Sequence, residues 1–131
     1  MGVVVGYLAT PEGRAALDAA VRSAKRIGTH VVVVVSGRPD EGLDERGRME
    51  EDLDRVDREL TEAGVPHEIR VLDGGDVADD LIATAEELSA ELVVIGLRRR
   101  SPVGKLILGA NAQRVLFDAP CPVLTVKPDV S

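Results

Sequence analysis

The sequence predicts a doubly wound α/β sandwich, a parallel sheet between two layers of helix, and three observations lead there. Short apolar runs at residues 2–7, 31–35, 92–95 and 123–126 alternate with segments whose apolar residues recur at helical spacing. The first two runs have no polar alternation, the mark of strands buried on both faces of a parallel sheet. The 131 residues fit one domain, because single cores run to about 100–200 residues.

Each element can be justified in order. Residues 2–7 open the sheet. Thr10-Pro11-Glu12 supplies an N-cap, a proline at the first helical position and an acid in the first turn. Ala15, Ala16, Ala19, Ala20, Ala24 and Ile27 then recur at helical spacing until Gly28 ends the helix. Five consecutive valines, 31–35, form the second buried strand. Two such strands joined by one helix specify a right-handed βαβ unit.

After a polar turn over 37–42, Met49, Leu53, Val56 and Leu60 set a second helix. Eleven acids and four bases lie between Asp40 and Glu62, a net of −7 equal to that of the whole chain. Such a run reads as the solvated outer face of an amphipathic helix. Gly64-Val65-Pro66 ends it, and residues 67–72 alternate, with Glu68 and Arg70 on one face, as a strand toward a sheet edge. A turn over 73–76 starts the third helix, striped by Val77, Leu81, Ile82, Ala85 and Leu88. The fourth strand, 92–95, closes with Gly96. A loop over 97–108 leads to a short helix at about 110–118. Pro120-Cys121-Pro122 introduces the last strand, Val123, Leu124, Thr125 and Val126, and residues 127–131 form a frayed tail.

Composition excludes several functions. Tyr7 and Phe117 are the only aromatic residues, so a nucleic-acid reader built on stacked bases is not expected. A net charge of −7 disfavours binding to polyanions or to a membrane surface. Cys121 is the single cysteine, so no intrachain disulfide or thiolate metal cluster can form. It reads as a packed, inert thiol, and His30 and His67 read as rim residues rather than zinc ligands. The chain opens without a basic leader and holds no apolar run of membrane-spanning length, so a cytoplasmic protein is expected. No nucleophile, base and acid can be assembled into a catalytic set, and the expectation is a protein that is not an enzyme.

In open α/β sheets ligands bind at the carboxyl ends of the strands where strand order reverses. This directs attention to Tyr7, Leu8, Ala9 and Thr10 after the first strand and to the segment after the fourth. Between Leu92 and Phe117 there is no acid, while Arg98, Arg99, Arg100, Lys105 and Arg114 are basic. Gly96, Gly104 and Gly109 punctuate the stretch, and Gly109-Ala110-Asn111 stands at a helix start. Glycines permit close backbone approach, amides at a helix start point at an anion, and cations add field, which together describe a phosphate site. The other reading is a connecting loop with solvated arginines, and composition leaves both open. The stretch is neither a G-x4-G-K-[ST] loop nor a G-x-G-x-x-G fingerprint. Ser101-Pro102 reads as a turn initiator or, beside three arginines, as a phosphoacceptor. Tyr7 is placed either to flank a bound base or to fill the core.

Val93-Val94-Ile95-Gly96, the basic loop, Leu106-Ile107-Leu108-Gly109, Gln113-Arg114-Val115-Leu116 and Ala119-Pro120-Cys121-Pro122-Val123-Leu124 resemble the carboxyl half of a universal stress protein. The opening Val4-Val5-Gly6-Tyr7, the alanine-rich helix and the valine strand are similar to that family's amino half. The resemblance implies a Rossmann-like, five-stranded parallel sheet in order 3-2-1-4-5 and a homodimer. In one branch it also implies ATP, with magnesium, as a ligand. Gly96 and Gly109 match the first and last glycines of that branch's G-x2-G-x9-G-[ST] pattern, whereas Arg99 stands at the second glycine and Ala110 replaces the hydroxyl residue. Leu8 stands where the family commonly has an aspartate near the nucleotide, and Val35 corresponds to where it offers backbone groups to adenine. The stretch from Leu97 to Asn111 is the candidate site, with Arg98, Arg99, Arg100 and Lys105 as phosphate contacts, Ser101 or Asn111 as a side-chain partner, Gly104 where the backbone turns, and the Gly109, Ala110 and Asn111 amides as donors.

Two functions follow as expectations. One is a dimeric stress-response or regulatory module that binds an adenine nucleotide at the loop after the fourth strand. The other is a dimeric interaction module whose nucleotide site has degenerated at Leu8, Arg99 and Ala110. In both, the last strand is an apolar edge that a second copy would cover.

Overall fold

The computed structural model describes residues 2–36, 43–72, 76–99, 106–107 and 109–128. The elements run β1 (Val3–Gly6), α1 (Pro11–Ile27), β2 (Val31–Ser36), α2 (Leu43–Glu62), β3 (His67–Leu72), α3 (Val77–Leu88), β4 (Leu92–Gly96), β5 (Arg98–Arg99), β6 (Leu106–Ile107), α4 (Ala110–Asp118) and β7 (Val123–Val126). The main sheet is five-stranded, in order β3-β2-β1-β4-β7, with every neighbouring pair parallel. Counting these five strands alone gives the expected order 3-2-1-4-5.

One departure concerns the segment after β4. Its two ends are not irregular loop but a short antiparallel pair, Arg98 opposite Ile107 and Arg99 opposite Leu106. Two residues per strand give no hydrophobic alternation to read, so this pairing left no signal in the sequence. The turn expected over 37–42 and most of that over 73–76 lie outside the described residues.

The valine runs explain the layering. Successive side chains on a strand point to opposite faces, so a strand of valines feeds two cores at once. Val3, Val5, Val31, Val33 and Val35 pack with Ala16, Leu17, Ala20, Val56 and Leu60 of α1 and α2. Val4, Val32, Val34, Val93 and Ile95 pack on the other face with Ala78, Leu81, Ala85 and Val115 of α3 and α4. Complete burial of one such aliphatic side chain contributes about 1.5–3 kcal/mol.

The helix ends follow the local signals. Thr10 caps α1, its Oγ1 accepting from the Gly13 amide at 3.1 Å, and Gly28 ends the helix in the left-handed region at φ 82. Asp76 caps α3, accepting from the Ala78 and Asp79 amides. At the far edge, His67 begins β3 with Nδ1 donating to the Val65 carbonyl at 2.9 Å and Nε2 2.6 Å from the Asp57 carboxylate of α2.

Two glycines set how closely α1 meets the sheet. A Cβ on Gly13 would lie 1.9 Å from the Leu8 carbonyl oxygen, and one on Gly96 would lie 2.2 Å from that of Glu12. Both neighbours are backbone and have little room to yield. The first turn of α1 is thereby seated on the exits of both β1 and β4.

Gly13→Ala should therefore destabilise the protein by about 2–3 kcal/mol through overpacking. Gly28→Ala, where nothing lies within 4 Å but φ is positive, should cost only about 1 kcal/mol; urea denaturation of the two variants tests the order. A second expectation concerns pH. Burial of the His67 ring opposes its charge, but the hydrogen bonds to Val65 and Asp57 outweigh burial, and its pKa is raised above the ordinary 6.5. A raised folded-state pKa gives stability that is complete below the unfolded value and lost as pH rises through the folded one. Over that window the stability of wild type relative to Asp57→Asn should fall. A difference independent of pH between about 6 and 8 would contradict it.

Candidate functional site

The carboxyl edge of the parallel sheet gathers the exits of β1, β2 and β4 and the amino ends of the helices that follow. The Tyr7 amide donates to the Val34 carbonyl at 3.0 Å, extending the β1–β2 ladder by one bond, and the Leu97 amide donates to the Val126 carbonyl at 2.8 Å. Between the exits of β1 and β2, under α2, lies a cavity of about 270 Å³ lined by Tyr7, Leu8, Ala9, Val35, Ser36, Arg48, Met49, Asp52 and Leu53. Ligand pockets typically run from about 300 to 1,000 Å³.

Tyr7 fills the core and also reaches the cavity wall. Its ring is buried in the core beneath α1 and α2, while its hydroxyl donates to Asp52 Oδ2 at 2.6 Å at the cavity wall. Burial and that bond to a carboxylate raise the phenol's pKa, with Arg14 opposing. Arg14 is held charged chiefly by the tyrosine, and also by Glu59, which it meets at 2.9 Å. Leu8 is 54% exposed at the cavity mouth. Ala9 is exposed and Val35 buried, and Thr10 is engaged as the cap of α1.

Ser36 and the α2 residues Arg48, Met49, Asp52 and Leu53 were not foreseen. The acidic run of α2 reads as solvated, yet Asp52 is three residues from Met49 and four from Val56. That spacing puts it on the apolar stripe, and was the available signal.

The β4 side is built differently. Gly96 ends β4 with its missing side chain occupied by the backbone of Glu12, so packing alone requires a glycine there. Arg98 and Arg99 form β5; Arg100, Ser101, Gly104 and Lys105 lie outside the described residues. Gly109 is the N-cap of α4 and gives no side-chain hydrogen bond, and Ala110 and Asn111 are exposed in the first turn. Arg114, counted with the loop's cations in sequence, is paired elsewhere. Its guanidinium donates to Asp76 at 3.0 Å and to Asp79, which ties α4 to the start of α3.

Elsewhere the described residues offer little chemistry. Cys121 is free and half-buried, and burial pushes its thiol pKa up, away from nucleophilic use. Among the described residues no group of three His, Cys, Asp or Glu could hold a metal ion, and no helix is long and apolar enough to cross a membrane. A wider hollow of about 520 Å³ around Lys25, Thr29, His30 and Pro66 lies at the amino edge, away from the strand exits that bind ligands in this architecture.

Known proteins share the fold. The model of the universal stress protein family matches residues 1–127. A universal stress protein of Mycolicibacterium smegmatis is 44% identical over 126 residues, covering 96% of this chain and 97% of that protein. The structure of a universal stress protein from Archaeoglobus fulgidus superposes with a TM-score of 0.81 at 31% identity, covering 97% of this chain and 98% of that one. A universal stress protein of the same organism in complex with dAMP gives 0.77 at 26% identity over 97% and 98% of the two chains. With that match along nearly its full length, the chain belongs to the universal stress protein family.

Proposed function

We propose that this universal stress protein works as a homodimeric regulatory module that binds an adenine nucleotide along the carboxyl edge of its sheet. Tyr7, Leu8, Ala9 and Val35 border the base. Arg98, Arg99, Ser101, Gly104 and Lys105 attend the phosphates together with the amides of Gly109, Ala110 and Asn111. One observation carries this reading. α1 and α3 have their first amides claimed by the side chains of Thr10 and Asp76, whereas α4, on the same edge, has no side-chain cap. Its amides and the positive end of its dipole are free of any carboxylate or hydroxyl of its own cap and suit an anionic group. The related protein in complex with dAMP supports an adenine nucleotide as that anion.

ATP is included in the reading, with magnesium arriving on its phosphates. The module acts by binding, and slow hydrolysis by water is the only turnover it accommodates. Its setting is cytoplasmic, without a membrane or nucleic-acid partner, in keeping with the net charge of −7. The alternative, an interaction module without a ligand, draws on Leu8, whose exposed apolar side chain stands at the cavity mouth.

The dimer belongs to the proposal as well. The two sheet edges differ in their guard. On β3, exposed Val71 is flanked by Arg70, which pairs with Glu68 at 2.7 Å and with Glu87 at 2.8 Å, charges that discourage pairing there. On β7, Leu124 is 39% exposed and nearby in sequence Phe117 is 84% exposed. An apolar edge strand of this kind is stabilised by pairing with its copy, through Val123, Leu124, Thr125 and Val126.

Two measurements test these statements. Mass spectrometry of the denatured protein as isolated, followed by calorimetric titration with AMP and with ATP and magnesium, should find binding that Arg99→Glu combined with Lys105→Glu weakens at least about tenfold. No released nucleotide and no heat of binding would leave the interaction module as the function. Leu124→Lys should shift sedimentation of the folded protein from dimer to monomer, and a persistent dimer would place the interface on another surface.

A further inference from the structure

We propose that Asp52 selects the base, accepting a hydrogen bond from an exocyclic amine; the inference rests on the nucleotide reading above. The cavity wall is apolar at Leu8, Ala9, Val35, Met49 and Leu53. A carboxylate placed there loses hydration and needs donors in its stead. The Asp52 side chain is only 15% exposed, and two donors reach it: the Tyr7 hydroxyl at 2.6 Å on Oδ2 and the exposed Arg55 at 3.3 Å on Oδ1. A carboxylate has about four acceptor positions, so capacity remains after both.

The neighbouring polar atoms lean the same way. Ser36 gives its proton to Asp80 at 2.8 Å, and Tyr7 gives its own to Asp52, so each turns oxygen lone pairs rather than a proton toward a ligand. Arg48, exposed on α2, is the one cation of the lining. A cavity furnished with acceptors favours a ligand that donates.

Orientation makes the donor the base and not the sugar. The phosphate end lies at α4, which follows β4, on one side of β1; the cavity lies on the other side, between β1, β2 and α2. A nucleotide laid along this edge brings the far edge of its base to α2. The exocyclic amine of adenine donates there, and a purine without it leaves the carboxylate unmatched.

Calorimetry with AMP and with purine riboside 5′-monophosphate, which lacks that amine and nothing else, tests the assignment. Wild type should prefer AMP by about tenfold or more. Asp52→Ala should bring the ratio to about one, and Asp52→Asn, which keeps a partner for Tyr7 should Ala fail to fold, should lower it. Equal binding of the two ligands by wild type, or a preference unchanged in Asp52→Asn, would overturn the role of Asp52 while leaving nucleotide binding intact. Failure of both ligands to bind wild type would overturn the nucleotide reading and this inference with it.

Discussion

The site depends on a contact between backbones. α1 begins so close to the sheet that neither Gly13 nor Gly96 has space for a Cβ, one against Leu8 and the other against Glu12. These contacts fix the first helical turn across the β1–β4 boundary, where the strand order reverses and the crevice of an open α/β sheet forms. With that turn fixed, β1 exits toward β2, Tyr7 is carried under α2 and Leu8 stands at the cavity mouth. A looser approach would leave the cavity without a defined wall, since side chains on two different elements must meet at hydrogen-bond distance to close it.

The second determinant is the division of labour between the interior and its rim. Inside, the valine strands bury their side chains on both faces, and Thr84 is the one buried polar residue among the described residues. At the carboxyl edge several acids serve definite partners: Asp76 caps α3 and receives Arg114, Asp80 receives Ser36, and Asp52 receives Tyr7. The uncapped start of α4 stands out against that background. The cation of that helix, Arg114, is already paired with Asp76 and Asp79 at the start of α3 and leaves no free charge of its own there.

The fold was legible because its signals are local or periodic. Thr10-Pro11, Gly28, the valine runs and the alanine stripe each act over a few residues, and each stands where its physical chemistry requires. The family resemblance added the strand order, which no local signal specifies. The site was legible only in part. Gly109, Ala110 and Asn111 do open a helix at the carboxyl edge, and Tyr7 does reach the cavity. Charge counting misled at Arg114, because an acid-free stretch of sequence says nothing about acids brought from residues 76 and 79 by the fold. It misled again along α2, where Asp52, one of the helix's acids, is turned inward.

Asp52 and Arg114 share a physical lesson. A charge that the fold brings to a partner stops behaving as part of its local run. Arg114 leaves the basic segment and becomes a strut between α3 and α4; Asp52 leaves the solvated face of α2 and becomes part of a cavity wall. Both assignments follow from position relative to an apolar stripe: Arg114 is adjacent to buried Val115, and Asp52 lies between Met49 and Leu53. Helical phase therefore carries information about function that net charge does not. In a small domain whose interior is mostly aliphatic, the ionised groups near that phase boundary are the ones the fold draws into contact with other elements.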